Sequence, residues 1–131
     1  MNLPQDLLYT KEHEWLRVVD GGANALVGIT DYAQAELDEL VYVEVETVGE
    51  ELAAGEVFGT VEAVKTTSDL FMPVGGRVLA FNEALSEDGG DNPGLINDDP
   101  YGEGWIVKIA LGDPEAVSGL LSAEAYGGLI G

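Results

Sequence analysis

The stretch VFGTVEAVKTTSDLFMP, residues 57–73, contains two strand-like runs with a single lysine between them. The first run, residues 57–64, is rich in the β-branched and aromatic residues that favour strands, and residues 70–72 resume that character. Lys65 therefore lies at the predicted turn of a β-hairpin. A lysine on an exposed turn can be reached by a modifying enzyme. The stretch thus favours a covalently attached group over an active site built from side chains.

Strand patterns continue on both sides of this hairpin. Residues 14–19 and 25–29 flank a glycine-rich turn and predict a second hairpin. Apolar and polar residues alternate again over 41–45 and 105–111, as expected of half-buried strands. Six or seven short strands with two or three helices predict a mainly β fold, a sandwich or flattened barrel. The length is that of a single domain, residues 1–131.

Two helices are predicted outside the strands. The first begins at Asp31, whose carboxylate is expected to accept hydrogen bonds from the amides of the first turn. The second covers about 113–121, where Pro114 suits a first helical turn. Gly127 and Gly128 indicate a tail at the end of the chain.

The composition excludes several kinds of function. The chain has no cysteine and one histidine, His13, so disulfides and a cysteine nucleophile are ruled out and a zinc site is short of ligands. The formal net charge of −20 disfavours binding to nucleic acid or anionic membranes. No apolar run is long enough to span a bilayer and no secretory signal is recognisable, so a cytoplasmic protein is expected. The acidity fits either steering towards basic partners or adaptation to high salt.

Lys65 is the best attachment point among the three lysines. Lys11 precedes the first strand among acidic residues and is expected to be a solvated charge. Lys108 alternates with apolar neighbours, so it is expected to point outward from the last strand. Only Lys65 lies at a predicted hairpin turn.

The segment around Lys65 resembles the lipoyl-lysine segment of the glycine cleavage system H-protein family. Other blocks similar to the family follow in the expected order over nearly the whole chain: HEW (13–15), GITDYAQ (28–34), VYVE (41–44), GGRV (75–78), NEAL (82–85) and LINDDPYGEGW (95–105). Their joint occurrence is specific. Asp38 departs from the pattern, since the family commonly has glycine there.

The resemblance implies a barrel-sandwich hybrid of the lipoyl-domain type, a flattened β-barrel of two antiparallel sheets with a few short peripheral helices. It also implies a lipoyl-bearing hairpin at about 56–82, with lipoate joined by an amide to Lys65. It implies a non-catalytic carrier rather than an enzyme. The carrier takes the aminomethyl group of glycine from the pyridoxal-phosphate glycine decarboxylase (P protein) to the tetrahydrofolate-dependent aminomethyltransferase (T protein). Dihydrolipoamide dehydrogenase (L protein) reoxidises the arm, and lipoyl-attaching enzymes are further partners. A monomer is expected.

Three carboxylates are candidates to hold the loaded arm, which ends in a cationic amine. Glu14, Asp69 and Glu12 fall in the matching blocks beside Lys65, although each is equally well interpreted as a solvated surface charge. His13 has no obvious catalytic partner in the sequence, so a structural role is favoured.

Other functions remain open at this point. Biotin carrier domains also present a lysine on a hairpin, but they usually have methionine on both sides of it, where this chain has Val64 and Thr66. An H-like protein that relays lipoate to other enzymes would have the same sequence features. An enzyme in its own right is least expected, because no nucleophile–base pair, metal cluster or phosphate-binding loop is recognisable.

Overall fold

The computed structural model describes residues 2–131, which form two antiparallel β-sheets with short helices around them. The strands are β1 (Leu8–Tyr9), β2 (Glu14–Val19), β3 (Asn24–Ile29), β4 (Leu40–Glu44), β5 (Glu51–Leu52), β6 (Val57–Ala63), β7 (Thr67–Phe71), β8 (Gly76–Phe81) and β9 (Val107–Leu111). The α-helices are α1 (Asp31–Leu37), α2 (Gly94–Asp98) and α3 (Ala123–Ile130). Short 3₁₀ helices cover Asp20–Gly22, Glu83–Leu85 and Pro114–Gly119.

The sheets differ in size and share one core. The larger has six strands in the order β1-β2-β3-β9-β8-β5, and the smaller has three in the order β4-β6-β7. Every pairing is antiparallel. The prediction of a mainly β fold with two antiparallel sheets and a few short helices is therefore confirmed. The predicted N-terminal hairpin is β2–β3, with Glu14 opposite Ile29 and Val19 opposite Asn24.

The main core lies between the two sheets. Phe58 and Val61 of the small sheet and Val27 and Ile109 of the large sheet belong to one cluster of fully buried side chains. Each such side chain contributes about 1.5–3 kcal/mol on burial. The inner face of β6 is thereby fixed, and this fixes the position of the turn that follows it.

A second cluster covers the opposite face of the large sheet. Trp15 is fully buried there with Tyr9 and Tyr126, and its indole N–H donates to the Pro100 carbonyl at 2.9 Å. Gly28 lies opposite Trp15 in the β2–β3 pairing, and a Cβ at this position would come within 2.7 Å of the indole. The glycine leaves room for the ring to lie flat on the sheet.

The ends of the predicted elements differ from the structure in two places near Lys65. The hairpin contains only β6 and β7 and ends at Phe71, because β8 leaves it and pairs with β5 and β9 in the other sheet. It is therefore shorter than residues 56–82. At α1 the cap is Thr30 rather than Asp31, since the Thr30 hydroxyl accepts a hydrogen bond from the Ala33 amide at 3.2 Å.

The C-terminal region differs more. Pro114–Gly119 is a 3₁₀ helix, so the segment predicted as a helix at 113–121 is shorter and more tightly wound. An α-helix follows at Ala123–Ile130, where a glycine-containing tail was expected. The Ser122 hydroxyl accepts from the Ala125 amide at 3.1 Å and caps α3. None of the helices in residues 2–131 has the length and apolarity needed to cross a membrane.

Candidate functional site

Lys65 lies at the tip of the β6–β7 hairpin, as its position in the sequence predicts. The Ala63 amide donates to the Thr66 carbonyl at 2.7 Å, which closes the turn around Val64 and Lys65. Both residues of the turn are exposed, and Val64 keeps 66% of its accessible surface. The pairing of Glu62 with Thr67 fixes the register up to the turn. The lysine is thus presented to solvent at the end of a hydrogen-bonded hairpin.

The other strand lysine is engaged elsewhere. Lys108 Nζ lies 2.8 Å from Asp20 Oδ2, in an ion pair that ties β9 to the β2–β3 connection. The second ion pair, at 3.9 Å, joins Arg77 to Glu51. Neither of these two pairs, which are those found within residues 2–131, includes Lys65. Its amine is therefore available for modification without the loss of an ion pair.

A cleft of about 290 Å³ lies beside the hairpin. It is bounded by β7, by the start of β2 and by α1. Glu12, Glu14 and Asp69, the three carboxylates proposed from the sequence, all line it. Asp69 follows Lys65 by four residues along β7, which corresponds to about 13 Å of extended chain. The structure therefore brings the three acids together at one cavity, and one of them, Asp69, is four residues from the lysine.

Glu14 is the buried member of these three carboxylates. Its side chain is 1% exposed, with Oε1 accepting from the Thr10 hydroxyl at 2.7 Å and Oε2 accepting from the Phe71 amide at 3.3 Å. Burial raises the pKa of Glu14 to about 7, against the partial compensation of these hydrogen bonds. The carboxyl therefore titrates near neutral pH, unlike the carboxyl of a solvated glutamate. The solvated interpretation is wrong for Glu14.

Asp69 and Glu12 lie at the rim of the cleft and are exposed. They surround its opening with negative charge, while Glu14 lies deeper. A cationic group that enters the cleft meets exposed carboxylates first and the buried acid last.

His13 is part of a hydrogen-bonded chain rather than an isolated base. Its Nδ1 lies 2.7 Å from the hydroxyl of Tyr126, which also lies 2.8 Å from the hydroxyl of Thr30. The imidazole packs against Tyr32 with ring centroids 5.1 Å apart, and His13 lines the cleft. These contacts support the structural role expected for His13. Tyr126 was missed by sequence reasoning, since no local pattern links it to a residue 113 positions away.

Glu14 also borders a second cavity, of about 430 Å³. Its walls include Phe71, Met72 and Leu120. Phe71 is six residues from Lys65, about 20 Å along the strand, so this cavity is farther from the lysine than the first. Within residues 2–131 no group of three or more histidine, aspartate or glutamate side chains is arranged to hold a metal ion.

Comparison with known proteins gives consistent results. The family model described as Glycine cleavage H-protein matches residues 7–130. A glycine cleavage system H protein of Chlorobium phaeobacteroides is 54% identical over 131 residues, covering 100% of this chain and 99% of the relative. One from Bacteroides thetaiotaomicron is 58% identical over 126 residues, covering 96% and 95%. The crystal structure of a glycine cleavage system H protein from Mycobacterium marinum is 39% identical with a TM-score of 0.80, covering 95% of this chain and 96% of that one.

These matches span the whole fold, including the hairpin and the cleft, and they confirm the resemblance seen in the sequence. The chain belongs to the glycine cleavage H-protein family, and its expected role as a lipoyl carrier of the glycine cleavage system is the role of that family.

Proposed function

We propose that this chain carries lipoate in amide linkage to Lys65 and shuttles the aminomethyl group of glycine between the enzymes of the glycine cleavage system. The observation that carries the proposal is the position of Lys65, exposed at the tip of a hairpin whose second strand borders a carboxylate-lined cleft. Lipoate supplies a disulfide that can be opened and reoxidised, and so provides the group-carrying and redox chemistry that a protein without cysteine lacks.

The residues present fit such a group. The Lys65 amine is exposed and lies outside the ion pairs of the described residues, so an acyl group can be attached without displacing a partner. The chain that joins β6 to β7 is short, which leaves the motion of the arm to the lysine side chain and its extension. The rim of the cleft at Asp69 is separated from Lys65 by at most about 13 Å, the length of four residues of extended chain. Attachment and storage are therefore compatible in one molecule.

The cleft suits a cationic cargo. A primary amine at the end of the arm is protonated at neutral pH and is attracted by the rim carboxylates of Asp69 and Glu12. Inside the cleft it meets Glu14, whose ionised form is stabilised by a neighbouring positive charge. Because Glu14 is buried, the attraction in an ion pair there is weakened less by the surrounding water than the attraction in a surface pair. The three carboxylates would hold the cargo and shield it from hydrolysis.

The partners follow from the proposed cycle. They are glycine decarboxylase, the aminomethyltransferase, dihydrolipoamide dehydrogenase and the enzymes that attach lipoate, all acting on a monomeric carrier in the cytoplasm. The carrier holds no catalytic residues of its own in this scheme. Tethering raises the effective concentration of the cargo at each partner's active site.

The decisive experiment measures the intact mass of the natively expressed protein beside Lys65→Arg. Lys65→Arg keeps the charge and the hairpin but removes the acylable amine. We expect a lipoyl-sized mass increment in the wild type and in Lys11→Arg, and none in Lys65→Arg. A biotin-sized increment, or a lipoyl increment that persists in Lys65→Arg, would contradict the proposal.

A further inference from the structure

Beyond the β4–β6 ladder, which reaches Ala63, one backbone hydrogen bond links the tip of the hairpin to the neighbouring chain. The Val64 amide donates to the Glu39 carbonyl at 3.2 Å. Glu39 belongs to the two-residue corner, Asp38 and Glu39, that joins α1 to β4. Val64 immediately precedes Lys65, so the position of this corner affects the position of the lysine.

The corner has an unfavourable backbone conformation. Asp38 has φ of 68° and ψ of −147°, close to a region that only glycine adopts without strain. Its amide donates to the Gln34 carbonyl at 2.9 Å, which ends α1. A strained residue persists only where the surroundings hold it in place, so other contacts must fix the corner.

The side chain of Asn97, on α2, supplies those contacts. Its Nδ2 donates to the Asp38 carbonyl at 2.8 Å and to Gln34 Oε1 at 2.9 Å. Its Oδ1 accepts from the Leu40 amide at 3.1 Å. One half-buried amide group therefore joins the last turn of α1, the strained corner and the start of β4.

We propose that Asn97 is a positioning residue for Lys65. Through its three hydrogen bonds it holds the Asp38–Glu39 corner, and through the Glu39 carbonyl the corner holds the Val64 amide and the turn that presents the lysine. Asn97 lies outside the cleft and has no part in holding the cargo. The inference rests on the proposed attachment of lipoate to Lys65.

The step that depends on this positioning is the acylation of Lys65. The neutral Nζ attacks the acyl carbon of a lipoyl-adenylate, the new C–N bond forms, and the C–O bond to AMP breaks. AMP leaves with the electron pair and the nitrogen loses a proton to water. The attaching enzyme supplies the activated acyl group and must receive the turn in one orientation. A mobile turn is expected to weaken recognition of the carrier rather than the chemical step.

The chain offers a matched control for Asn97→Asp. Asn82 also donates twice through Nδ2, to the Glu103 and Trp105 carbonyls at 2.8 Å each, and accepts once, from the Ala84 amide at 3.1 Å. Aspartate removes both donors and keeps the acceptor at either position. Asn82 is 7% exposed and lies outside α1, α2 and the corner, so Asn82→Asp is expected to destabilise the fold at least as much without loosening the corner.

The test uses the full-length unmodified chain, a lipoate–protein ligase with lipoate and ATP, and intact mass as the readout. In Asn97→Asp we expect exchange of the Val64 amide hydrogen to accelerate about ten-fold relative to the β6 strand amides. This is the effect expected from the loss of one or two hydrogen bonds. We expect KM for the carrier to rise about five-fold or more with kcat nearly unchanged. In Asn82→Asp the Val64 amide should keep its exchange rate relative to the strand amides, and KM should stay at the wild-type value.

The double variant Asn97→Asp/Asp38→Gly guards against a variant that does not fold. Glycine relieves the strain at the corner, so the stability of the fold is restored. KM remains higher than in Asp38→Gly alone, because the two hydrogen bonds that Asn97 donates are still missing. An unchanged Val64 exchange rate and KM in the Asn97 variants, or equal changes in Asn82→Asp, would overturn the inference. A wild-type chain that gains no lipoyl mass would instead overturn the proposed function, so the two failures are distinguishable.

Discussion

Burial makes Glu14 a different acid from its exposed neighbours in the cleft. Its carboxyl is almost fully removed from water, and the pKa is raised to about 7 from an ordinary value of 4.5. An incoming ammonium pairs with the ionised form. Below pH 7 that form must first be generated, so the affinity of the cleft for a cationic cargo falls by up to about ten-fold per pH unit.

Glu14→Gln tests the role of this acid in protecting the cargo. In the wild type we expect hydrolysis of the loaded arm, measured as ammonia release, to accelerate as the pH falls from about 8 to about 6. In Glu14→Gln hydrolysis should be faster at the upper end of this range and depend less on pH, because glutamine carries no charge. An unchanged rate in Glu14→Gln would show that Glu14 has no protective role.

Stability measurements on the unmodified chain provide the control. Since the folded-state pKa of Glu14 lies above the unfolded value, the folded state binds this proton more tightly, and the resulting stabilisation is full below pH 4.5 and is lost as the pH rises through about 7. The free energy of unfolding of the wild type relative to Glu14→Gln should therefore decrease over this window. Parallel pH profiles for the two proteins would mean that the carboxyl is not a buried acid.

At the scale of secondary structure, the end of α1 is a strained point of the backbone. Asp38 has a positive φ combined with ψ of −147°, and its exposed side chain makes no hydrogen bond among those of the described residues. We predict that Asp38→Gly raises the free energy of unfolding by about 1 kcal/mol, since the strain of 1–3 kcal/mol exceeds the entropy cost of glycine. The midpoint temperature of thermal unfolding should rise by about 4 °C.

Asp91→Gly is the matched control for that prediction. Asp91 is also exposed with a positive φ, of 48°, which is at the edge of the φ range of the left-handed helical region that aspartate tolerates. Its replacement should change stability by only a few tenths of a kcal/mol. Equal gains at the two positions would mean that the backbone conformation of Asp38 carries no special strain.

Local patterns predicted some elements well and others poorly, for identifiable reasons. The β6–β7 hairpin was predictable because strand-forming runs flank Lys65 directly. Helix α3 was not, because Gly127 and Gly128 each disfavour a helix by about 1 kcal/mol. What outweighs them is the packing of Tyr126 on Tyr9, with ring centroids 5.0 Å apart, which is a long-range contact.

The candidate site was likewise predictable from the sequence in part. The identity of the carboxylates beside Lys65 could be read from matching blocks, but the burial of Glu14 could not. Its hydrogen-bond partners come from Thr10 on one side and from Phe71, 57 residues away, on the other. The cavity around this acid forms only where β7, the start of β2 and α1 come together in the folded chain.

At the scale of the whole molecule the dominant property is charge. The formal net charge is −20, and the proposed acylation of Lys65 would make it −21. Of the five basic residues, Arg77 and Lys108 are in ion pairs and Arg17 lies over the Trp15 ring at 5.4 Å. Exposed acids including Glu39, Glu62 and Asp69 surround the hairpin. The proposed lipoyl arm would thus extend from a strongly negative surface.

We predict that this field steers the carrier to basic surfaces around its partners' active sites. The association rate constant with glycine decarboxylase, measured by stopped-flow mixing, should fall about ten-fold or more between low and physiological ionic strength, as the Debye length shrinks to about 8 Å. Glu39→Gln/Glu62→Gln should lower the low-salt rate and flatten its salt dependence. Glu115→Gln/Glu124→Gln, which changes the charge equally at exposed positions of the C-terminal helices, should do so less. Adaptation to high salt predicts the opposite result, since acidity that serves only to keep the chain folded and hydrated would leave the association rate independent of salt and of both double variants.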